Sequence, residues 1–259
     1  MIQHKLSFLA LIIIYSSNME ARLPWYTDAS TIGAGGTNIL YEMNPRPGLS
    51  LHYIMPFQLN ELSVRKLEAE FPVKQNIFAT GLGQSGDQVF QETMLTFGAA
   101  RNLSNTVYLK VSGIIYNIRT HNEKNGNAIM SDILCLYQPI ESLIIGSHLF
   151  NPTGSVIEGQ ARDYHLCQAF YLGGAFWPTD NLKMIIETEK IIGEEASLHG
   201  GIEYTIMEAL TIRLGLSGKP FITTWGFGGN FNKITCSIGG NNHPVLGITS
   251  GISVKYFWR

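Results

Sequence analysis

The chain has 259 residues, with 18 Lys and Arg set against 20 Asp and Glu for a formal net charge of -2 at pH 7. That balance, with a pI near 6.4, carries no nucleic-acid signature. Hydrophobic residues reach 45% while mean hydropathy is only +0.07, and no stretch matches the roughly 20 apolar residues that a membrane-crossing helix needs.

The chain opens with His4 and Lys5, an apolar run over 6–15, then Ser16, Ser17, Asn18 and a small residue at Ala21. This order is that of a secretory signal peptide, expected over 1–21 and removed after export. No Cys follows it, so a lipoprotein anchor is not expected. Residues 22–47 form a short hatch segment ahead of the first strand. Gly33, Gly35 and Gly36 fit neither G-x-G-x-x-G nor a P-loop, since no Lys-Ser/Thr follows, so they read as flexible hatch backbone. Asn44 precedes Pro45, Arg46 and Pro47, a rigid turn at the start of the barrel, with Arg46 alternatively touching the lumen wall.

From about residue 48 to 259, period-two segments recur between turn signals. Short hairpins are expected at 70–74, 102–105, 138–141, 178–181, 205–208 and 229–232. Mostly longer connections fall at 81–88, 119–127, 151–163, 192–196 and 239–245. Short turns alternating with longer loops are the pattern of an outer-membrane β-barrel. Starting from a strand at 49–56, the count is about fourteen, even in number and with both ends on one side. The expectation is therefore an all-β, closed antiparallel transmembrane barrel of about 14 strands with an N-terminal hatch, located in the outer membrane and in contact with its lipid.

Three neighbouring strands carry the polar candidates. Leu182, Met184, Ile186 and Thr188 alternate with Lys183, Ile185, Glu187 and Glu189. Leu198, Ile202 and Tyr204 alternate with His199 and Glu203, and Leu210, Ile212, Leu214 and Leu216 with Thr211 and Arg213. Lys183, Glu187, Glu189, His199, Glu203 and Arg213 thus share the lumen face, and Glu203 can pair with Arg213 across a hairpin. The cluster is either a polar constriction with a general base at His199, or an ion-pair network that fills a narrow lumen and fixes register; the second is favoured. Ser197 shares the face of His199, but no Asp lies in that stretch to orient the ring. No catalytic residue, metal or cofactor is expected, and the protein is read as a non-enzyme. Cys135, Cys167 and Cys236 stand singly, as small buried or lipid-facing groups.

The final segment alternates Ile248, Ser250, Ile252, Val254, Tyr256 and Trp258 with Thr249, Gly251, Ser253, Lys255 and Phe257, which suits a lipid-facing closing strand. Trp25, Tyr26, Tyr53, Tyr137, Tyr171, Trp177, Tyr204, Tyr256 and Trp258 suit aromatic girdles at the membrane interfaces.

A family resemblance follows from short motifs: the Gly-rich stretch 30–37, Asn-Pro-x-x-Gly-Leu at 44–49, Glu92 leading into 95–98, Asn151-Pro152, Gly-Gly-Ile-Glu-Tyr at 200–204, the run 210–215 and the ending 246–251. Together they resemble the FadL-type outer-membrane barrels, and within them the PorV/PorQ branch of Bacteroidetes-type bacteria. The chain departs from that branch in its shorter length, clipped hatch, small external loops and terminal Arg259. The resemblance implies a fourteen-stranded barrel with its N-terminal segment in the lumen. It implies a partner-binding scaffold for other envelope or type IX secretion proteins, or else a conduit for small hydrophobic molecules. The charged lumen and short chain favour the scaffold.

Overall fold

The structure, a computed structural model, describes residues 28–38, 45–121, 125–157, 163–207, 209–218 and 221–258. The expected leader 1–21, and Trp25, Tyr26, Asn44 and Arg259, lie outside the described residues. A short helix α1 (Ala29–Gly33) precedes strands β1 (Gly48–Met55), β2 (Val64–Val73), β3 (Asn76–Gly86), β4 (Phe90–Asn102), β5 (Val107–Thr120), β6 (Gly126–Ile140) and β7 (Leu143–Phe150). Then come β8 (Val156–Ile157), β9 (Tyr164–His165), β10 (Ala169–Thr179), β11 (Leu182–Ile191), β12 (Ser197–Met207), β13 (Leu210–Ser217), β14 (Ile222–Phe231), β15 (Ile234–His243) and β16 (Gly247–Phe257). All but β8 and β9 join into one closed antiparallel barrel of fourteen strands, in which each neighbours its successor and β1 meets β16. The seam runs in unbroken register from Gly48 opposite Phe257 to Met55 opposite Ser250.

The strands form because apolar and small or polar residues alternate with period two. In β11 the pattern is strict: Met184 and Ile186 are exposed, while Lys183, Ile185, Glu187 and Glu189 are buried. Much of the outer wall is apolar, with Ile129 76%, Leu214 61% and Ile186 59% exposed. In water so extensive an apolar surface would drive aggregation. In a bilayer it is the solvated face, and closure leaves no unpaired edge in hydrocarbon.

Several turns fall later than expected. The hairpins close at 74–75, 141–142, 180–181 and 232–233, because Pro139 and Pro178 sit where the register shifts inside β6 and β10 rather than in the turns. Proline is tolerated at such irregularities, where a ladder bond is already missing. The expected loops 81–88 and 239–245 shrink to 87–89 and 244–246. Gly81, Gly83, Gly239 and Gly240 continue their strands instead of turning them. Strand β1 begins at Gly48, and Pro56 opens a 3-10 turn rather than ending the strand.

Two expected girdle residues point the other way. In β10 the inward phase falls on Tyr171, which stacks on His148 with ring centroids 5.2 Å apart, and on Trp177, which packs in a lumen cluster. Phe170 and Phe176 take the outer positions. Trp258 does cap the outer wall: its Nε1 donates to the Glu70 carbonyl at 2.9 Å, and its ring stacks on Phe71 at 5.5 Å. Cys135 and Cys236 are half-buried and Cys167 is buried, none of them in a disulfide.

The lumen is packed in layers. Toward the longer loops, Met94, Ile114, Met130, Phe150, Ile157 and Leu166 share an apolar cluster with Ile32 of α1. Toward the short turns, Ala100, Tyr108, Leu134, Leu136 and Ile144 form a second one. The described parts of the next connection, 151–157 and 163–168, pack at the mouth, where Asn151 donates from Nδ2 to the carbonyls of Leu166 and Cys167, both at 3.2 Å.

Ile252, outward and 46% exposed at the middle of β16, gives a direct test of the phase. Ile252→Lys should cost about 2–4 kcal/mol of barrel stability in a bilayer, read by urea unfolding in vesicles. Ser253→Ala on the inner face should cost about 1 kcal/mol. Equal losses would mean that β16 is out of phase.

Candidate functional site

The N-terminal segment lies inside the barrel against β12–β16. Asp28 starts α1 by accepting from Thr31 N at 2.8 Å, and Thr31 Oγ1 accepts from Asp28 N at 2.7 Å, a reciprocal cap. The helix stops at Gly35 and Gly36, whose φ values of 88° and 71° belong to glycine. Gly36 N donates back to Thr31 O at 2.7 Å. Gly35 N donates to the wall instead, to Thr224 Oγ1 at 3.0 Å. These glycines were expected to be flexible. They are held, because the segment touches the wall backbone to backbone.

The contact is possible because the wall presents glycine on consecutive strands. A Cβ built on Gly239 would sit 2.0 Å from Ala29 O, one on Gly201 2.4 Å from Ala34 O, and one on Gly215 2.5 Å from Gly35 N. Gly226 faces Gly33, Cα against Cα. Gly201 pairs with Gly215, and Gly226 with Gly239 and then Gly251, so the smooth patch crosses five strands.

Hydroxyl and charged side chains border this patch and satisfy the segment. Ala29 N donates to Ser253 Oγ at 2.9 Å, and Ser30 Oγ to Ser237 Oγ at 2.9 Å. Thr224 Oγ1 donates to Gly33 O at 3.0 Å. His199 Nδ1 lies 3.0 Å from Gly35 O and 3.1 Å from Ser217 Oγ. At the far end Asn38 N donates to both oxygens of Glu187, at 3.0 and 2.9 Å. A buried carboxylate needs such donors to offset its lost hydration.

All six polar candidates on β11–β13 face the lumen, in three settings. Glu187, Glu189 and His199 belong to the clamp on the N-terminal segment. Glu203 and Arg213 sit opposite each other in register and pair at 2.5 Å between Nε and Oε2. The Lys183 ammonium lies 5.0 Å from the centre of the Trp177 ring. Pro45 is half-buried, and exposed Arg46 stacks its guanidinium 3.9 Å over the ring of Phe257 on the closing strand. Of the closing-strand residues, Ile248, Ile252 and Tyr256 are exposed on the outer wall, and Val254 and Trp258 are half-buried.

Ser197, His199 and Glu189 form a compact trio. Ser197 Oγ donates to Glu189 Oε2 at 2.9 Å and lies 3.0 Å from His199 Nε2, which is 3.3 Å from the same carboxylate oxygen. A hydrolytic triad needs the acid on one ring nitrogen and the nucleophile on the other. Here both meet Nε2, and Nδ1 faces the N-terminal segment, so the trio is a clamp. Among the described residues no three His, Cys, Asp or Glu side chains gather as a metal site.

Sequence reasoning missed the hydroxyls Ser217, Thr224, Ser237 and Ser253 and the glycine patch as a docking surface. Small inward residues on five strands in succession were the available signal. It also missed the polar groups of the opposite wall. Asp132 is hydrogen-bonded to His148 and Glu92 to Tyr116, and Glu68 lies 3.1 Å from His52 and 3.3 Å from Lys66.

No protein-family model and no curated protein matches the sequence. Solved structures do match the fold. The toluene transporter TodX of Pseudomonas putida aligns with a TM-score of 0.65 and 9% identity, over 89% of this chain and 98% of that one. A FadL homologue of Pseudomonas aeruginosa aligns at 0.58 and 10%, over 90% and 98% of the two chains. The monoaromatic hydrocarbon channel CymD aligns at 0.54 and 10%, over 83% and 88%. At such identities the likeness establishes a shared fold.

Gly239→Val should expel the N-terminal segment without unfolding the barrel. Proteolysis should then cleave near Ala29 at least tenfold faster, while the heat-dependent gel shift of the folded barrel is unchanged; unaltered protection would refute the docking. For the ion pair, Arg213→Leu should cost about 3 kcal/mol by stranding Glu203. Arg213→Leu combined with Glu203→Gln should cost clearly less than the sum of the single changes. Additive losses in urea unfolding would remove the pair as a stabilising unit.

Proposed function

We propose that this chain is a FadL-type outer-membrane channel for small hydrophobic molecules, closed in this state by its own N-terminal segment. Export through a cleaved leader over 1–21, a plug over 22–47 and a barrel over 48–259 belong to the same reading. The observation that carries it is the apolar cluster at the loop end of the lumen. Met94, Ile114, Met130 and Phe150 line it, and Ile32 of the plug stands at its edge. A hydrophobic molecule that enters from the loops meets apolar side chains, then a plug held by individually weak hydrogen bonds. Each is worth about 0.5–1.5 kcal/mol net, so the plug can be held firmly and still be released.

The structural neighbours support this direction, since two are described as carrying toluene or monoaromatic hydrocarbons. They are channels rather than enzymes, in keeping with a trio around His199 arranged as a clamp. The scaffold role, with binding to other envelope or secretion proteins, draws support from the sequence resemblance to the PorV/PorQ branch and from the charged lumen and short chain. It ranks second.

The test is toluene uptake by intact cells of a Gram-negative host that lacks its own hydrocarbon channel. Expression should raise the uptake rate several-fold, and Gly239→Val should raise it further. Unchanged uptake in both, with a stoichiometric envelope protein co-purifying, would overturn the channel reading in favour of the scaffold.

A further inference from the structure

Strand β2 places a charge on the wall that faces the membrane. Its outward phase runs through Leu67 and Phe71, and Arg65 lies in the same phase, one residue from the loop end. Arg65 is exposed, and among the described residues no ion pair or hydrogen bond engages it. Arg facing lipid costs about 2–4 kcal/mol at the midplane and about 0–1 near an interface. The charge therefore belongs at headgroup depth, where it can meet an anion.

On one side of Arg65 the neighbouring register positions are polar as well, whereas beyond Tyr53 on the other side the row passes to Ile252 of β16. Tyr53, Arg65 and Gln84 stand side by side across β1, β2 and β3, and the row continues through Thr93, Asn117 and Asn127. Each of these residues is polar or amphipathic and lies within four residues of the loop end of its strand. Two residues farther from the loops the row reads Leu51, Leu67, Leu82, Leu95, Ile115 and Ile129, wholly apolar. Over β1–β6 the outer wall thus changes from polar to apolar within one step along the strands.

At this step the wall is indented. A depression of about 400 Å³ is lined by Leu51, Leu67, Leu82, Ile252 and Val254, with Tyr53, Arg65 and Gln84 also bordering it. We propose that it holds one phosphate-bearing membrane lipid. The phosphate lies on the Arg65 guanidinium, whose fork matches two phosphate oxygens. The Gln84 amide and the Tyr53 hydroxyl flank it, and an acyl chain occupies the depression. Charge complementarity selects an anionic headgroup, and continuity with the lipid-facing wall selects a lipid. The site rests on the outer wall alone and is independent of what the lumen carries.

Native mass spectrometry of the full protein in detergent micelles tests this, with dipalmitoyl phosphatidic acid as the probe. Dipalmitoylglycerol, which has the same chains without phosphate, and inorganic phosphate serve as comparators. One phosphatidic acid should be retained per barrel, with affinity about tenfold above that for dipalmitoylglycerol. Arg65→Leu should remove that preference, and Leu67→Trp, which fills the depression, should weaken retention while the barrel stays folded by its gel shift. Four results would overturn the proposal: equal binding of dipalmitoylglycerol, unchanged binding by Arg65→Leu, inorganic phosphate binding as tightly as the lipid, or a dimer that Arg65→Leu dissociates.

Discussion

The ladder between β1 and β16 is the constraint on which the rest of the molecule depends. An open sheet in hydrocarbon would leave a row of unpaired amides and carbonyls, each costing several kcal/mol. Closing it ties the two ends of the barrel sequence together, Gly48 to Phe257. Once the ring is shut, the inward or outward assignment of every residue follows from its phase, and a slip of one residue would turn a whole strand inside out. Lys183, Glu187, Glu189, Glu203 and Arg213 on β11–β13 are tolerable because that phase sends them to the lumen.

Closure leaves a lumen to be filled, and the two halves fill it differently. Across β4–β10 large side chains do so, in the clusters around Met130 and Leu136. Across β12–β16 many of the inward residues are glycine, serine and threonine, beside the larger His199, Glu203 and Arg213, and the chain's own N-terminal segment supplies the missing bulk. The polar cluster around Glu187 and His199 gains its meaning there. Each group satisfies a backbone atom of the segment or another member of the clamp.

Much of this was readable in advance. Period-two alternation gave the strands, their number and their phase, and it placed Glu203 opposite Arg213. What stayed hidden depended on contacts between distant parts of the chain. Asn38 and Glu187 are 149 residues apart, and nothing near either one announces the other. Gly239 read as a loop residue because glycine serves equally in turns and where backbones touch. Only the register of five strands tells the two apart. Tyr171 and Trp177 were assigned outward from their aromatic character, whereas the phase of β10 turns them inward. The short chain and charged lumen favoured the scaffold over the channel, although both roles use the same wall.

The docking of α1 on the last five strands carries an implication for assembly. Ala29 contacts Ser253 across 224 positions of sequence, and the surface it rests on exists only when β12 to β16 are paired. Contacts of such separation form late, because loop-closure entropy must be spent before they contribute. These early residues of the chain are then among the last to find their place. During biogenesis the lumen passes through a stage in which its wall is complete and its stopper is still outside the seat.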